Sequence, residues 1–443
     1  MNHHIAARTG RALAAGALAA LLLVLCAGAA AAAPRAARAA AQELRAQPGA
    51  PGLRAAPAAS AGKAPVGRSG RLPVVCLRGG FRQMGRQYGA LLSADIRRLN
   101  RDVQRIYDEL DIAIPGLSLR EFSTRSLDLY PVRFKDFARG VAEGAHVALA
   151  VVAENSELFE YFAAFVGPQA GAAAGACSAI SAWGPYTRGG TLVMGRDYDF
   201  PSFYRKFDRA LVVVVLHPTD GSSATALLTW AGSVGAISGF SEHGFVLENN
   251  NGSTYGDPNR HFLTRTPFMI HLPQVLLDQT SAAGVDAAMR SYRGPYPLIW
   301  NLATRQAGYV YETTTYEVKR RDGEGGLAVG VNHFVDPSWP LLPTRSVEGI
   351  EYSELRHGNL VALAAASKGA IDVARMRSIM DTLIEAGGAT PKDTNIYRFV
   401  AVPQTLQWWI RAPEHVGWVH VDLRRLFRAS TSGLTILTPS TSR

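Results

Sequence analysis

One cysteine stands at the head of a strand-like segment and is followed by a pair of charged residues on the next segment. The stretch GACSAISAWGPYTRGGTLVMGRDYDF places Cys177 ahead of an Arg-x-x-Asp pair, Arg196 and Asp199. A thiol is the most nucleophilic side chain near neutral pH, but it needs a base or a lowered pKa to react. The pattern therefore predicts covalent catalysis at Cys177. An inert core thiol is the simpler alternative.

Two different groups could take the proton from the Cys177 thiol. A histidine, either His243 or His333, is one candidate base. The other is the α-amine of Cys177 itself, which becomes free if the chain is cut before this residue. A free α-amine has a pKa of about 7.7–8.0, close to the pH at which a general base is most effective. This second route predicts a flexible, small-residue segment before the cysteine, and residues 167–176 (GPQAGAAAGA) have that composition.

Signatures of other chemistry are missing from the sequence. There is no Cys-x-x-Cys or His-Glu-x-x-His motif and no glycine-rich phosphate loop, and the eleven histidines are scattered. The stretch GFSEH has His243 where a hydrolase elbow of the form Gly-x-Ser-x-Gly needs its last glycine. We therefore expect no metal ion and no cofactor.

The order of strands and helices predicts an α+β fold with antiparallel sheets covered by helices. A strand at LPVVCL is followed by apolar residues at helical spacing from Phe81 to about residue 154. After Cys177 the pattern changes to a hairpin, with CSAISAW and TLVMGRDYDF as strands and TRGG as the turn. Further strands and helices follow in blocks, which argues against a parallel, doubly wound sheet.

The first 33 residues have the pattern of a secretory signal peptide. Arg8 and Arg11 precede an apolar, Ala/Leu-rich run that ends in three alanines, the small residues that a signal peptidase accepts. A retained membrane anchor is the alternative. Cys26 follows Leu25 rather than a small residue, which argues against lipid attachment. We expect an exported protein, periplasmic or secreted, without stable membrane insertion once the signal is removed.

Most of the net positive charge lies in a tail after the signal. Of the 46 Lys and Arg residues, two precede residue 34 and seven lie in residues 34–72, where Glu43 is the one acidic residue. The rest of the chain carries 37 basic and 35 acidic side chains and is almost neutral. Residues 34–71, rich in Ala, Pro and Arg, are expected to be a disordered linker. The neutral body argues against a nucleic-acid partner.

Two cysteines remain after signal removal, Cys76 and Cys177. An exported protein can join such a pair in a disulfide. Because Cys76 lies in the apolar run LPVVCL, a buried core thiol is the simpler account of it.

Five motifs, in this order along the chain, resemble those of the N-terminal-nucleophile (Ntn) hydrolases. The similarity is to the linear-amide group of isopenicillin-N acyltransferase, whose wider relatives include the choloylglycine hydrolases and acid ceramidase. Residues 175–200 resemble the nucleophile hairpin of this group, which begins with Cys-Thr/Ser and returns with GRNxD. The other resembling stretches are VVCLRGGFRQMGRQYG, GSVGAISGFSEHGFVLENNN, VNHF and SELR, so that the resemblance spans about residues 72–427.

The resemblance implies a four-layer αββα sandwich of two stacked antiparallel sheets between helical layers. It implies that Cys177 is the nucleophile with its own α-amine as the base, that Arg196 favours the thiolate, and that Asp199 orients the amine. A structural salt bridge is the alternative role for Arg196. Because residues three apart on an ideal strand face opposite ways, a bulge or a strand end near Tyr198 is required.

The resemblance also implies groups that stabilise the oxyanion. Asn332 would be one donor, and the second would come from the run of residues 249–251, where spacing favours Asn250 or Asn251. A plain turn is the alternative for that run. Arg356 would steady the network, and a surface helix arginine is the alternative. Two residues depart from the pattern of the relatives: Asp197 replaces an asparagine, and Ala176 replaces the glycine before the nucleophile.

The sequence therefore predicts an exported, self-processing cysteine amidohydrolase or acyltransferase that acts on linear amides through an acyl-thioester on Cys177. The predicted parts are a signal peptide (1–33), a linker (34–71), a helical pro-segment or bound α-chain (72–176) and a β-chain (177–443). Two alternatives remain open, an unprocessed Cys–His hydrolase and a non-catalytic exported binding protein on the same fold. The expected partners are a small amide substrate, which the residues do not identify, and the protein's own cleaved α-chain.

Overall fold

The structure is a computed structural model that describes residues 70–166, 176–252, 257, 259–340 and 347–439. The predicted signal peptide, almost all of the linker and residues 167–175 lie outside the described residues. The strands are β1 (Leu72–Gly79), β2 (Ser178–Gly184), β3 (Gly190–Asp199), β4 (Leu211–Pro218), β5 (Thr225–Trp230), β6 (Ser238–Ser241), β7 (Val246–Asn251), β8 (Leu298–Ala303), β9 (Gly308–Thr313), β10 (Val318–Asp322), β11 (Leu327–Gly330), β12 (Asn395–Val402), β13 (Gln407–Ala412), β14 (Val416–Asp422) and β15 (Gly433–Leu437). The α-helices are α1 (Phe81–Leu91), α2 (Ser93–Glu109), α3 (Leu119–Asp128), α4 (Val132–Ala145), α5 (Leu149–Val166), α6 (Phe268–Asp278), α7 (Ala282–Arg290), α8 (Val347–Ala366), α9 (Val373–Asp381) and α10 (Leu423–Phe427).

The described strands form two sheets. The first has nine strands in the order β10-β9-β8-β7-β6-β5-β4-β1-β15, and its neighbours are antiparallel except for β1 and β4. The second has six antiparallel strands in the order β11-β2-β3-β12-β13-β14. The predicted antiparallel sheets are confirmed. One strand from before Cys177, β1, lies between two strands from after it.

The two sheets face each other, and helices cover their outer faces. Phe240 of β6 packs against Trp408 of β13 across the interface, with 6.2 Å between ring centroids. Helices α8 and α9 pack on the six-stranded sheet over a core that includes Ile180, Val193 and Met376. Helices α1 and α6 pack on the nine-stranded sheet. This is the four-layer αββα sandwich that the resemblance implied, and the predicted fold class is confirmed.

The hairpin of β2 and β3 forms where the sequence predicts it. Its turn contains Gly189 and Gly190 with φ of 76° and 78°, a left-handed backbone that glycine adopts without steric cost. The strands pair Ser178 with Asp197 and place Cys177, just before β2, beside the end of β3. The hairpin therefore brings the cysteine and the Arg-x-x-Asp pair to one place.

The glycines of the stretch GRQYG allow a close approach between two helices. A Cβ atom at Gly85 of α1 would lie 2.2 Å from the carbonyl oxygen of Phe137 on α4, and one at Gly89 would lie 2.2 Å from that of Val141. Real Cβ atoms do not approach backbone oxygens so closely, so the helices would have to separate. Helix packing is thus a sufficient physical reason for glycine at both positions of this motif.

We expect Gly85→Ala to lower the free energy of unfolding by about 1–3 kcal/mol, because overpacking against a backbone cannot be relieved by a side-chain rotation. Gly358→Ala is the matched control, since Gly358 is exposed on α8 and a Cβ there meets nothing within 4 Å. The control should gain up to about 1 kcal/mol from the better helix propensity of alanine. Urea unfolding measures both. Equal stabilisation by the two substitutions would contradict the packing role.

Candidate active site

Cys177 is buried where the chain enters β2. The residue is 3% exposed, and its thiol donates to the backbone carbonyl of Asp199 with 3.4 Å between Sγ and O. Burial raises the pKa of the thiol to about 12, although the positive charge of Arg196 acts in the opposite direction. The uncut chain therefore holds Cys177 as a neutral thiol near neutral pH.

Arg196 of β3 is fully buried and crosses to the nine-stranded sheet. Its guanidinium donates to the carbonyl oxygens of Ile237 (3.0 Å) and Asn249 (2.6 Å) and to the hydroxyl of Ser238 (2.6 Å). Its Nη1 also lies 2.7 Å from Oε2 of Glu248, which is buried as well. A buried guanidinium is costly unless it is paired. Arg196 thus makes the structural salt bridge left open above and also acts on the pKa of Cys177.

Asp199 is the last residue of β3. One oxygen of its carboxylate is hydrogen-bonded, and the other has no partner. Oδ1 accepts from Asn395 Nδ2 at 2.8 Å, whereas Oδ2 is buried without a hydrogen-bond partner. Burial raises the pKa of Asp199 well above its ordinary value, and the charge of Asp197 adds to this effect. Leaving a buried acceptor unpaired is costly. Oδ2 is therefore suited to accept from a donor that the uncut chain does not supply.

The expected irregularity near Tyr198 lies on the partner strand. β3 continues to Asp199 without a break, but its pairing with β12 shifts by one residue. Asn395 pairs with Asp199, and Tyr397 pairs with Tyr198, so Ile396 is the extra residue. Such a bulge increases the local twist. It lies where Arg196 and Asp199 both come near enough to Cys177 to act on the pKa of its thiol.

The carboxylate of Asp197 is held away from the thiol by other groups. Its Oδ2 accepts from Thr390 Oγ1 at 2.6 Å, and Arg398 Nε lies 3.7 Å from its Oδ1. The carboxylate with the largest effect on the Cys177 thiol is Asp199. The charge of Asp197 acts instead on Asp199, whose pKa it raises.

Arg356 of α8 holds the backbone on both sides of the nitrogen of Cys177. Its Nη1 donates to the carbonyl oxygens of Ala176 (2.6 Å) and Cys177 (2.7 Å) and to Ser178 Oγ (3.1 Å). Its Nη2 donates to Asn332 Oδ1 at 2.9 Å. The residue is 1% exposed, so the alternative of a surface helix arginine is wrong.

Asn332 follows β11 and has its side chain oriented by Arg356. Because Oδ1 accepts from the guanidinium, Nδ2 points the other way and donates to the backbone carbonyl of Asn251 at 2.8 Å. The backbone N–H of Asn332 donates to Ser353 Oγ at 3.1 Å. The structure thus joins the VNHF and SELR stretches in one network beside Cys177.

The three asparagines of β7 do not face the same way. Asn249 and Asn251 line a cavity at Cys177, whereas Asn250 Nδ2 donates to the carbonyls of Gly330 and Val331 at 3.2 Å each. Alternation along a strand explains the difference. The buried Nδ2 of Asn249 has no hydrogen-bond partner. The run is a strand rather than a turn, and its geometry favours Asn249 over Asn250 as a donor to the site.

The cavity beside Cys177 is narrow and mostly apolar. Its volume is about 30 Å³, which admits no more than a few water molecules. Its walls include Phe159 and Ala163 of α5, Tyr198 and Phe200 at the end of β3, Phe268 of α6, and Tyr296. Helix α5, which precedes the predicted cleavage point, therefore forms part of the cavity wall.

Neither histidine considered as an alternative base lines this cavity. His243 Nε2 contacts Ser223 Oγ at 3.0 Å, between β6 and β7. His333 Nδ1 contacts Ser353 Oγ at 2.8 Å, and burial lowers the pKa of His333 to about 3. The geometry therefore favours the α-amine of Cys177 as the base.

The structure also bears on metal binding, on a disulfide between Cys76 and Cys177, and on membrane-spanning helices. Within the described ranges no group of three or more His, Cys, Asp or Glu side chains is arranged to hold a metal ion. Cys76 and Cys177 are both buried free thiols, so no disulfide joins them. Over the same residues, no helix has the length and apolar character needed to cross a membrane.

Three contributors to the site were not found from the sequence. Glu248 neutralises Arg196, Asn395 holds Asp199, and Phe159 of α5 closes the cavity. The acidic residue beside the asparagine run was an available signal for Glu248, since a buried arginine needs a counter-charge. The other two depend on pairing between distant segments, and no local pattern indicates them.

The described residues form an αββα sandwich with a cysteine at the head of an inner hairpin. No protein-family model and no curated protein matches the chain. Similar solved structures include an N-acylethanolamine-hydrolyzing acid amidase ortholog of Caenorhabditis elegans, with 14% identity and a TM-score of 0.40 over 51% of this chain and 93% of that one.

Two bacterial structures show a similar degree of likeness. A conjugated bile acid hydrolase from Clostridium perfringens has 14% identity and a TM-score of 0.40 over 60% of this chain and 97% of that one. Penicillin V acylase from Agrobacterium tumefaciens has 10% identity and a TM-score of 0.38 over 59% and 90%. Identities and TM-scores this low carry no activity or substrate over to this chain, so its function is argued from its own site.

Proposed function

We propose that the chain is an exported, self-processing cysteine hydrolase of linear amides, with Cys177 as the nucleophile. The cut would fall between Ala176 and Cys177 and would free the α-amine that serves as the base. Transfer of the acyl group to an amine instead of water is the variant reaction of the same site. The substrate is a small molecule with an amide bond and an apolar acyl side, in keeping with the walls of the cavity.

One observation carries the proposal: Arg356 donates to the carbonyl of Ala176, the carbonyl that a cut before Cys177 would open. The same nitrogen also donates to the carbonyl of Cys177, so the peptide unit between the two residues is fixed on both sides. A donor at 2.6 Å from a carbonyl oxygen polarises that carbonyl and can stabilise an oxyanion formed on it. A purely structural cysteine gives no reason for this arrangement.

In the cleavage reaction, Sγ of Cys177 attacks the carbonyl carbon of Ala176. The C–N bond breaks as the C–S bond of a thioester forms, and the thiol proton passes to the leaving nitrogen. Water then hydrolyses the thioester, which leaves a carboxylate at Ala176 and returns a proton to sulfur. The product is an N-terminal Cys177 whose α-amine is free.

In turnover, the α-amine takes the proton of the thiol, and the thiolate attacks the amide carbonyl of the substrate. Asp199 Oδ2, unpaired in the uncut chain, accepts a hydrogen bond from the amine. Arg196 favours the thiolate by its charge. Nδ2 of Asn249 donates to the oxyanion together with the second N–H of Asn332 Nδ2, whose first N–H is bound to the carbonyl of Asn251. The amine of the substrate leaves with the proton, and water releases the acyl group from sulfur.

The upstream segment is proposed to stay bound after the cut. Strand β1 pairs on both sides with strands from after Cys177, and α5 is buried against the site. Removing this segment would leave two sheet edges unpaired. Export rests on the sequence of residues 1–33 alone and is tested by the N-terminus of the secreted protein, expected after residue 33.

The test of self-processing is the intact mass of the purified protein. We expect the wild type to separate into two polypeptides under denaturing conditions, with the second beginning at Cys177, and Cys177→Ala to remain one polypeptide without amide-hydrolysing activity. Cys76→Ala, which removes the other buried thiol, is the matched control and should be cut normally. An active wild type that is unbroken through residue 177 would overturn the proposal.

A further inference from the structure

Two tyrosines of the cavity wall have hydroxyl groups without a hydrogen-bond partner. Tyr198 of β3 and Tyr296, between α7 and β8, are 4% and 6% exposed, and both line the cavity at Cys177. Within the described part of the chain, neither phenol donates to or accepts from another group. A buried tyrosine usually finds a partner for its hydroxyl. Two exceptions thus lie beside the candidate nucleophile.

The other buried tyrosines of the described residues show the usual arrangement. All of them except Tyr292 hydrogen-bond through the hydroxyl. Tyr204, for example, has its Oη 2.7 Å from Oη of Tyr107. The hydroxyl of Tyr292 is enclosed by protein atoms and lies away from the cavity. Those of Tyr198 and Tyr296 are not enclosed in this way, so they are open to a ligand in the cavity.

Packing fixes the positions of both hydroxyls. The ring of Tyr198 stacks on that of Tyr397, with 5.0 Å between centroids. The ring of Tyr296 is held by Phe262 and Phe268, at centroid distances of 5.2 Å and 5.6 Å. These neighbours are themselves buried. Polar groups held rigidly in a pocket are what selective binding requires.

Both phenols keep their protons and can donate. Burial raises the pKa of Tyr198 and that of Tyr296 well above the ordinary value, and a charge on Cys177 would raise both further. Tyr296 also contributes to the raised pKa of Tyr198, so the three groups lie near one another. An oxygen acceptor has two lone pairs. One such atom on a ligand can therefore accept from both hydroxyls.

The proposed reaction leaves these two donors without a task. Asn249 and Asn332 bind the oxyanion in it, and Asp199 orients the amine. The rest of the cavity wall is mostly apolar. The two phenols are therefore available to a different part of the substrate, the chain attached to the reacting carbonyl.

Unpaired donors in a small cavity discriminate between substrates. The volume of about 30 Å³ corresponds to one or two water molecules. A plain hydrocarbon chain in this space would leave both hydroxyls unpaired, which is costly, whereas a chain with an oxygen atom there would satisfy them. A site built to hydrogen-bond a substrate group rejects the analogue that lacks the group.

We propose that Tyr198 and Tyr296 form a polar subsite in the otherwise apolar acyl pocket, which selects amides whose acyl chain carries an ether or keto oxygen. The small cavity places that oxygen within the first few atoms after the reacting carbonyl. The subsite rests on the proposed function, because it takes the acyl side of the amide that Cys177 attacks.

The test uses 4-nitroanilides of a six-carbon acyl chain in which an ether oxygen replaces one methylene at each position in turn. We expect the wild type to prefer the best ether over the plain chain by about 5- to 100-fold in kcat/KM. Tyr198→Phe and Tyr296→Phe should each lower kcat/KM for the ether and raise it for the plain chain. Comparing this ratio between proteins removes the intrinsic reactivity of each amide.

Tyr204→Phe is the matched control. It removes a buried hydroxyl that already has a partner and does not line the cavity, so the ratio should stay that of the wild type. An equal fall in kcat for ether and plain chain in Tyr198→Phe and Tyr296→Phe would assign the phenols to the reaction and overturn the subsite. If a variant does not fold, a wild type without preference for any ether overturns it as well.

Binding separates the subsite from the proposed function. Ketones with a methylene in place of the amide nitrogen cannot be hydrolysed, and calorimetry gives their dissociation constants for every protein. We expect the ether form to bind the wild type about 5- to 100-fold more tightly than the plain form. A protein that is uncut or hydrolyses no anilide but keeps this preference overturns the proposed function alone. Equal or unmeasurable dissociation constants overturn the subsite.

Discussion

Arg356→Lys is expected to slow self-cleavage about 100- to 1,000-fold, the range found when one oxyanion donor is removed. A lysine keeps the positive charge but cannot reproduce the planar set of donors. In the structure one guanidinium serves the carbonyls of Ala176 and Cys177 and the side chain of Asn332 together. The measurement is the intact mass of the chain as a function of time after refolding from denaturant.

Arg265→Lys is the matched control for this prediction. Arg265 also donates through one nitrogen to two backbone carbonyls, those of Gly294 and Thr315, but it does not touch the peptide before Cys177. Its substitution should reduce stability without slowing the cut. If folded Arg356→Lys protein is cut as fast as the wild type, Arg356 does not assist the reaction.

Asn249→Ala is expected to lower kcat about 100- to 1,000-fold with a smaller change in KM, because a donor to the oxyanion acts mainly in the transition state. Its Nδ2 is buried beside the cavity and has no partner in the uncut chain. The cut itself should be little affected, since Arg356 supplies the donor there. The measurement is turnover of whichever amide, from a panel of N-acyl amino acids and aryl amides, the wild type hydrolyses.

Asn250→Ala separates this role from a structural one. Asn250 ties β7 to the end of β11 through the carbonyls of Gly330 and Val331. Its loss should lower the free energy of unfolding by about 1–3 kcal/mol, the cost of leaving buried groups unpaired, and leave kcat within a few-fold. A large fall in kcat for Asn250→Ala with none for Asn249→Ala would reverse the assignment.

The elements that depend on local pattern were predictable. Helical spacing after Phe81, the strand-like runs after Cys177 and the glycines at the hairpin turn each reflect a preference of a few consecutive residues. The block order of strands and helices was enough to exclude a parallel sheet. These features specify the sandwich and bring Cys177, Arg196 and Asp199 together.

The features that depend on register were not predictable. The register of β7 decides which of its asparagines faces the cavity. If the strand were shifted by one residue, every side chain would turn to the opposite face of the sheet. Spacing favoured Asn250 or Asn251, whereas the strand presents Asn249 and Asn251 to the cavity. The bulge at Ile396 and the pairing of Glu248 with Arg196 likewise arise from contacts between segments far apart in sequence.

The position of β1 in the sheet determines whether folding or cleavage has to come first. A strand that precedes Cys177 in the sequence lies inside a sheet whose other strands all follow Cys177, with β4 on one side and β15 on the other. Folding must therefore be complete, down to the last strand, before a cut can leave the two pieces together. A chain cut before the sheet has formed would leave β1 on a separate polypeptide. Two halves synthesised separately would have to associate before this sheet could form, as the fragments of a split protein do.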